Sequence, residues 1–261
     1  MPPDRRADPM WSHDFHEMKK PHRLIGEKSP IWDELTPAGR FSIAKCLMEE
    51  EFGHEETPGH VGRMATMVKK IVTELTKKEV IKGIHPDQAA IAGALHDRGK
   101  IDPEVLRVIS PKKKLTDADR IIMQEHTTIG EKMLQKRADG VWNDGAASWI
   151  LRSAAINARS HHERYDGTGY PDRLKGEAIP LLAQITALAD AWDAMGSDRG
   201  YNEPLSKEEI DSEIERCEGS HFGPRAVEGY FLVIGREIEE ERAKKEAAHS
   251  RILLRREVVR H

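Results

Sequence analysis

The chain has 261 residues, of which 41 are basic and 45 are acidic, so its formal net charge is −4 at neutral pH. Hydrophobic residues make up 38% and charged residues 33%, a composition typical of a folded domain and not of a disordered chain. The near-neutral balance, without a long run of one sign, argues against duplex nucleic acid as a partner. The longest charge-free apolar window, 179–189, is well short of the roughly 18 residues that a membrane span requires.

Cysteine usage and the N-terminal residues bear on the compartment. Cys46 and Cys217 are far apart in the sequence and form no CxxC pattern, which favours a reducing compartment and argues against a thiolate zinc site. No apolar stretch follows the first arginines, so the N-terminus does not resemble a secretory signal. We expect a cytoplasmic protein without a membrane partner.

The first half of the chain predicts an irregular arm followed by helices. Residues 1–44, with several prolines at the start, are interpreted as an N-terminal arm or lid, although a helix is predicted from Pro37 onward. Residues 60–78 have apolar side chains at the 3.6-residue period of an amphipathic helix. Residues 86–97 predict a short buried helix that Gly99 stops. The predicted apolar stripe of the first of these helices consists of Val61, Met64, Met67, Val68, Ile71, Val72 and Leu75.

The second half of the chain is predicted to be helical as well. Thr116 and Asp119 have the spacing of a capping box at the start of a helix over 116–137, with Asp in place of the usual Glu or Gln. Further helices are expected over 147–162, 180–195 and 205–217, and a last one from about Pro224. No segment alternates in the manner of a strand, so the fold class is all-α. We expect a catalytic domain over 45–235 and a helical extension over 236–261.

Among the candidate functional residues of the sequence, the histidines and carboxylates are the most informative about chemistry. Adjacent residues on a helix point about 100° apart, so a pair such as His96 and Asp97 can reach two neighbouring centres. This pattern predicts a multinuclear metal site, and imidazoles with carboxylates but without thiolates favour Fe or Mn over structural zinc, although ligand type alone does not choose the ion. The candidates are Glu56, His60, His96, Asp97, His126, His161, His162 and Asp190.

Five segments, in this order, resemble the HD-GYP phosphodiesterases, a branch of the HD superfamily of metal-dependent phosphohydrolases. The resemblance covers roughly residues 52–232 and implies an HD-type helical bundle with the additional HD-GYP helices. The segments are ETPGHVGR (56–63), LHDRGKI (95–101), EHTTIG (125–130), HHERYDGTGYP (161–171) and LADAWDAM followed by SDRGYN (188–202).

The resemblance implies a ligand set for two or three divalent metal ions. Asp97 bridges the two centres, and Glu56 matches a glutamate that helps some members to hold a third ion. The other implied ligands are His60, His96 and Asp190 at one centre and His126, His161 and His162 at the other.

The resemblance also implies roles around the metals. Lys100 and Arg199 match residues that contact the substrate phosphate, Tyr170 belongs to the loop that shapes the cleft, and Asp193 is placed to support a ligand. Asp97, Lys100 and Asp193 are therefore the candidate catalytic residues. Two alternatives remain open, in which Lys100 only complements a helix end and Arg199 only forms a surface ion pair.

The implied activity is hydrolysis of cyclic di-GMP, a bacterial second messenger, to linear pGpG or GMP. Asn202, Arg98, Gln184 and Gly223 depart from the usual family residues, so another cyclic dinucleotide or a nucleotide phosphate is an alternative substrate. A non-catalytic module that senses a nucleotide is the alternative from a different class. We expect any regulation to come through the arm, through the C-terminal tail or through a separate sensory or signalling protein, and a homodimer is possible.

Overall fold

The structure is a computed structural model that describes residue 40 and residues 59–109, 115–141, 145–198 and 203–258, with side chains described up to residue 246. Within these ranges the chain forms helices and no sheet, so the predicted all-α fold is confirmed. The helices are α1 (His60–Lys77), α2 (Pro86–Ala94), α3 (Pro103–Val108), α4 (Asp117–Gly140), α5 (Gly145–Ser160), α6 (Leu181–Gly196), α7 (Lys207–Arg216) and α8 (Pro224–Val258), with 3-10 turns at Arg98–Ile101 and Gly176–Ala178.

Helix α1 packs on α2, α6 and α8 through the predicted apolar stripe. The buried face differs from the predicted one by one residue, in the first turn of the helix. Six of the seven predicted stripe residues are buried, but Val61 is only half-buried and His60 is buried in its place. The prediction for Val61 was therefore wrong, because the first turn of α1 directs His60, and not Val61, into the interior.

Helix α2 is shorter than predicted. It begins after His85, whose Nδ1 accepts the backbone N–H of Asp87 at 3.2 Å, and it ends at Ala94. His96 and Asp97 therefore lie in the turn that leads into the 3-10 segment, where the N–H of Lys100 bonds to the carbonyl of Asp97 at 2.9 Å. Helix α2 thus ends three residues before the predicted end at residue 97.

Helix α4 packs on α5, α5 packs on α2, and α6 packs on both α1 and α5. Helix α4 starts with the predicted capping box, in which Thr116 Oγ1 accepts the N–H of Asp119 at 3.2 Å and the Asp119 carboxylate accepts the N–H of Thr116 at 3.0 Å. Residues 181–189 of α6 are all buried, so α6 is the central helix. One apolar core joins α1, α2 and α4 through α8.

Several predicted features lie outside the described residues. These are the arm before residue 59 except Arg40, the candidate ligand Glu56, the candidate phosphate contact Arg199 and the departure at Asn202. Helix α8 runs without a break through the predicted domain boundary at 235. No helix in the described part of the chain is long and apolar enough to cross a membrane.

Candidate metal centre

Seven of the eight predicted ligands lie in the described residues, and the fold brings them together from five parts of the chain. They come from the first turn of α1, the turn after α2, the middle of α4, the end of α5 and the second half of α6. They form two groups, and within each group the candidate ligand atoms lie within 4.8 Å of one another. One group is His60, His96 and Asp190, and the other is Asp97, His126, His161 and His162.

Asp97 lies between the two groups. Its Oδ2 is 3.1 Å from Nε2 of His96, whereas its Oδ1 is 3.4 Å from Nε2 of His126 and 3.5 Å from Nε2 of His161. One carboxylate oxygen therefore faces each group. This is the arrangement that a bridging carboxylate requires.

Close contact between backbones places Asp97 next to His126. A Cβ atom on Gly99 would lie 1.9 Å from the carbonyl oxygen of His126 and 2.7 Å from the backbone nitrogen of Gly130. Only glycine fits at position 99, since real Cβ atoms do not approach backbone atoms so closely. The 3-10 turn can thus lie directly on α4.

Backbone carbonyls orient three of the histidines. Nδ1 of His96 bonds to the carbonyl of Gly93 at 2.9 Å, and Nδ1 of His161 bonds to the carbonyl of Ala158 at 2.9 Å. Nδ1 of His126 likewise bonds to the carbonyl of Met123, at 2.5 Å. Since a carbonyl oxygen only accepts, each Nδ1 carries the proton and each Nε2 offers its lone pair to the centre.

His60 is oriented by a carboxylate instead. Its Nδ1 is 2.8 Å from Oδ2 of Asp193, and its Nε2 is 3.6 Å from Oδ1 of Asp190. Asp193 is therefore placed, as the resemblance implies, to support a candidate ligand. Arg63 contacts both oxygens of Asp193, with Nε 2.5 Å from Oδ1 and Nη2 3.1 Å from Oδ2.

The electrostatics of the site fit a metal centre. Nε2 of His96 and Oδ1 of Asp97 are buried and make no hydrogen bond to any described residue, which is costly unless a cation satisfies them. Burial lowers the pKa of His126 to about 4 and holds that of His162 well below its ordinary value, so both imidazoles stay neutral and able to ligate. Burial opposes ionisation of Asp97, but the positive charges of Lys100 and of a protonated His96 hold its pKa well below the usual range. Although burial lowers the pKa of His96, Asp97 raises it, so a cation bound at Nε2 would have to displace that proton.

Two further predicted residues adjoin the clusters. Nζ of Lys100 lies 2.7 Å from Oδ2 of Asp97, and the Lys100 side chain is partly exposed. The ring of Tyr170 stacks on that of His162, with centroids 4.8 Å apart and an angle of 25° between the planes. A cation and an aromatic face therefore border the site.

Glu163 is a residue of this site that sequence reasoning missed. It is buried, and its carboxylate accepts the N–H of Asp172 at 2.7 Å and the N–H of Leu174 at 3.0 Å. Both donors follow Tyr170, so Glu163 ties the end of the loop to the turn that carries His161 and His162. The only sequence signal was its position directly after the two histidines.

Glu163→Gln is expected to lower the free energy of unfolding by about 1–3 kcal/mol, because an amide can accept only one of the two N–H groups and leaves the other unsatisfied. Urea denaturation measures this loss. Glu177→Gln is the matched control, since Glu177 belongs to the same loop but its partly exposed carboxylate meets Tyr165 and Arg225. Equal stability losses in the two variants would contradict the anchoring role of Glu163.

The helices and the two His/Asp clusters together define a helical protein with residues that fit a multi-metal site. The chain belongs to the HD domain family, whose family model matches residues 54–226. The resemblance to the HD superfamily is thereby confirmed, and the matched range contains the HD-GYP segment 161–171.

Curated relatives resemble most of this chain. A cyclic di-GMP phosphodiesterase from Thermotoga maritima is 37% identical over 200 residues, which are 76% of this chain and 50% of the relative. A 3'3'-cGAMP-specific phosphodiesterase from Vibrio cholerae is 34% identical over 208 residues, 78% of this chain and 37% of the relative. The chain thus spans about half or less of these relatives.

The solved structures that resemble this chain are more distant. An HDG"Y"P protein from Bdellovibrio bacteriovorus has a TM-score of 0.49 and 15% sequence identity, over 75% of this chain and 58% of that one.

Proposed function

We propose that this chain is a metal-dependent phosphodiesterase that hydrolyses cyclic di-GMP to linear pGpG or GMP. The observation that carries the proposal is the pair of His/Asp clusters that share Asp97, in a chain of the HD domain family. Relatives named as cyclic di-GMP phosphodiesterases support the substrate, at 37%, 35% and 34% identity. As a second-messenger hydrolase it would act in bacterial signalling.

The proposed metal ligands are those of the two clusters, with Asp97 as the bridge. Bound divalent ions would polarise phosphoryl oxygens and lower the pKa of bound water. We propose iron or manganese at these positions, since the donors are imidazoles and carboxylates only. A third ion held by Glu56 stays a prediction, because Glu56 lies outside the described residues.

The surrounding side chains would bind and orient the substrate. The ammonium of Lys100, beside Asp97, can pair with a phosphoryl oxygen as negative charge develops on it. Burial raises the pKa of Tyr170, so its hydroxyl stays protonated and can donate a hydrogen bond to the nucleotide. Asp193 would keep the Nε2 atom of His60 directed at its metal. The phosphate contact of Arg199 remains a prediction.

A second candidate substrate is 3'3'-cGAMP. A relative named as specific for this dinucleotide is 34% identical to the chain, almost as similar as the cyclic di-GMP phosphodiesterases. The shared metal chemistry does not separate the two, because both substrates contain the same kind of phosphodiester.

A substrate panel with metal-replete protein tests these proposals. Protein purified without air is analysed for metals and incubated with cyclic di-GMP, 3'3'-cGAMP, linear pGpG and a mononucleotide phosphate, and the products are separated by chromatography. We expect cyclic di-GMP to be consumed fastest, with iron or manganese bound. Faster turnover of 3'3'-cGAMP would favour the second candidate, and tight binding without any product would instead indicate a sensing module.

A further inference from the structure

Arg63 lies one helical turn after His60 on α1, and the two residues share one face of the helix. Its guanidinium reaches across to α6, where it contacts both oxygens of Asp193 at 2.5 Å and 3.1 Å. The side chain of Asp193 is only 2% exposed, whereas that of Arg63 is 42% exposed. Arg63 therefore approaches a buried carboxylate from the solvent side.

The contacts to Asp193 are not equivalent. His60 Nδ1, at 2.8 Å, and Ser197 Oγ, at 3.3 Å, both meet Oδ2. Arg63 meets Oδ1 as well as Oδ2, so its fork contacts both oxygens of the carboxylate. A two-point contact of this kind sets the plane of a carboxylate, whereas a single donor leaves it free to turn.

We propose that Arg63 is a positioning residue for the metal centre, acting through Asp193 on His60. The arginine fixes the plane of the Asp193 carboxylate and so keeps the acceptor oxygen within hydrogen-bond distance of His60 Nδ1. This hydrogen bond orients the imidazole ring, with the result that Nε2 of His60 points toward Asp190 and His96. The inference rests on the metal centre of the proposed function. It assigns to an arginine, which cannot ligate a cation, a share in metal affinity.

The surroundings of Arg63 make this role testable by chemical rescue. Arg63 lines a cavity of about 730 Å³ together with Lys70, Trp192 and Asp193. Removing the arginine side chain would leave the Asp193 carboxylate facing this cavity, so that a small guanidinium ion could take the place of the lost group. Lys70 lines the same cavity, but its ammonium pairs with Glu237 at 2.8 Å, which makes it a matched control.

The test measures Mn²⁺ binding to the full chain by electron paramagnetic resonance of the free ion. Arg63→Ala is expected to weaken one of the two Mn²⁺ sites by about 10- to 100-fold, the usual effect of losing a group that supports a ligand. Arg63→Lys should restore the affinity only in part, since an ammonium lacks the fork. Millimolar methylguanidinium should strengthen Mn²⁺ binding by Arg63→Ala and leave Lys70→Ala and the unmodified chain unchanged.

Three outcomes would overturn the inference: Mn²⁺ binding by Arg63→Ala with unchanged stoichiometry and affinity, full affinity in Arg63→Lys, or restoration of Arg63→Ala by methylguanidinium that is no stronger than that by potassium chloride. If Arg63→Ala does not fold, as judged by circular dichroism, Arg63→Lys decides, because full affinity in that variant contradicts the need for a fork. The readout requires no substrate. A chain that binds Mn²⁺ as expected but hydrolyses no dinucleotide would therefore contradict the proposed function and leave this inference intact.

Discussion

Asp97→Asn is expected to lower kcat for cyclic dinucleotide hydrolysis by about 1000-fold or more and to reduce the bound metal from two ions to one or none. Oδ1 of Asp97 faces His126 and His161, whereas Oδ2 faces His96 and Lys100. An amide keeps the shape of the carboxylate but has one oxygen and no charge, so it cannot serve both clusters. Metal analysis and single-turnover hydrolysis measure the two effects separately.

Asp87→Asn is the control for this substitution. Asp87 lies at the start of α2 and pairs with Lys69 at 2.6 Å on the surface, where an ion pair contributes little. We expect its metal content and kcat to stay within about twofold of the unmodified chain. Two tightly bound ions and full turnover in Asp97→Asn would contradict the bridging role and, with it, the proposed mechanism.

The order of the motifs in the sequence predicted which candidate ligands lie close together. The predicted ligands in the described residues come together in the two groups that the resemblance implies, because the motifs occur on segments that the helical fold holds against one another. Metal binding by these groups stays a proposal. The core of α1 was equally predictable, since six of its seven stripe residues are buried at helical spacing.

The geometric reason given for the adjacent pairs was wrong. His96 and Asp97 were expected to diverge by 100° on a helix, but α2 ends at Ala94 and both lie in a turn. His161 and His162 likewise follow the last residue of α5. Helical periodicity cannot predict where a helix ends on a polar segment, because the end depends on tertiary contacts such as that of Gly99 with α4.

Asp193 was among the predicted residues, but its partner Arg63 and the loop anchor Glu163 could not be found from periodicity. Arg63 and Asp193 are 130 positions apart, and Glu163 accepts N–H groups nine and eleven residues further on. Such pairs are created only when the fold brings distant segments together. Arg63 and Glu163 do lie within the family motifs, but the sequence gave no physical reason to single them out.

Gly99→Ala is expected to destabilise the fold by about 3 kcal/mol or more and to abolish metal binding. The new Cβ would lie 1.9 Å from the carbonyl oxygen of His126 and 2.7 Å from the backbone nitrogen of Gly130. Neither obstacle is a flexible side chain, so the 3-10 turn must move away from α4. That movement would separate Asp97 from His126 and His161 and open the second cluster.

Gly235→Ala is the control for Gly99→Ala, because it adds the same methyl group at a position where the surrounding space is free. Gly235 is exposed within α8, and a Cβ atom there would meet nothing within 4 Å. Because alanine is about 1 kcal/mol more favourable than glycine in a helix interior, this variant should be more stable than the unmodified chain. Urea denaturation compares the two variants with opposite expected signs, and Mn²⁺ titration adds the functional readout. Normal Mn²⁺ stoichiometry in Gly99→Ala would show that the close approach of the turn to α4 is not what assembles the second cluster.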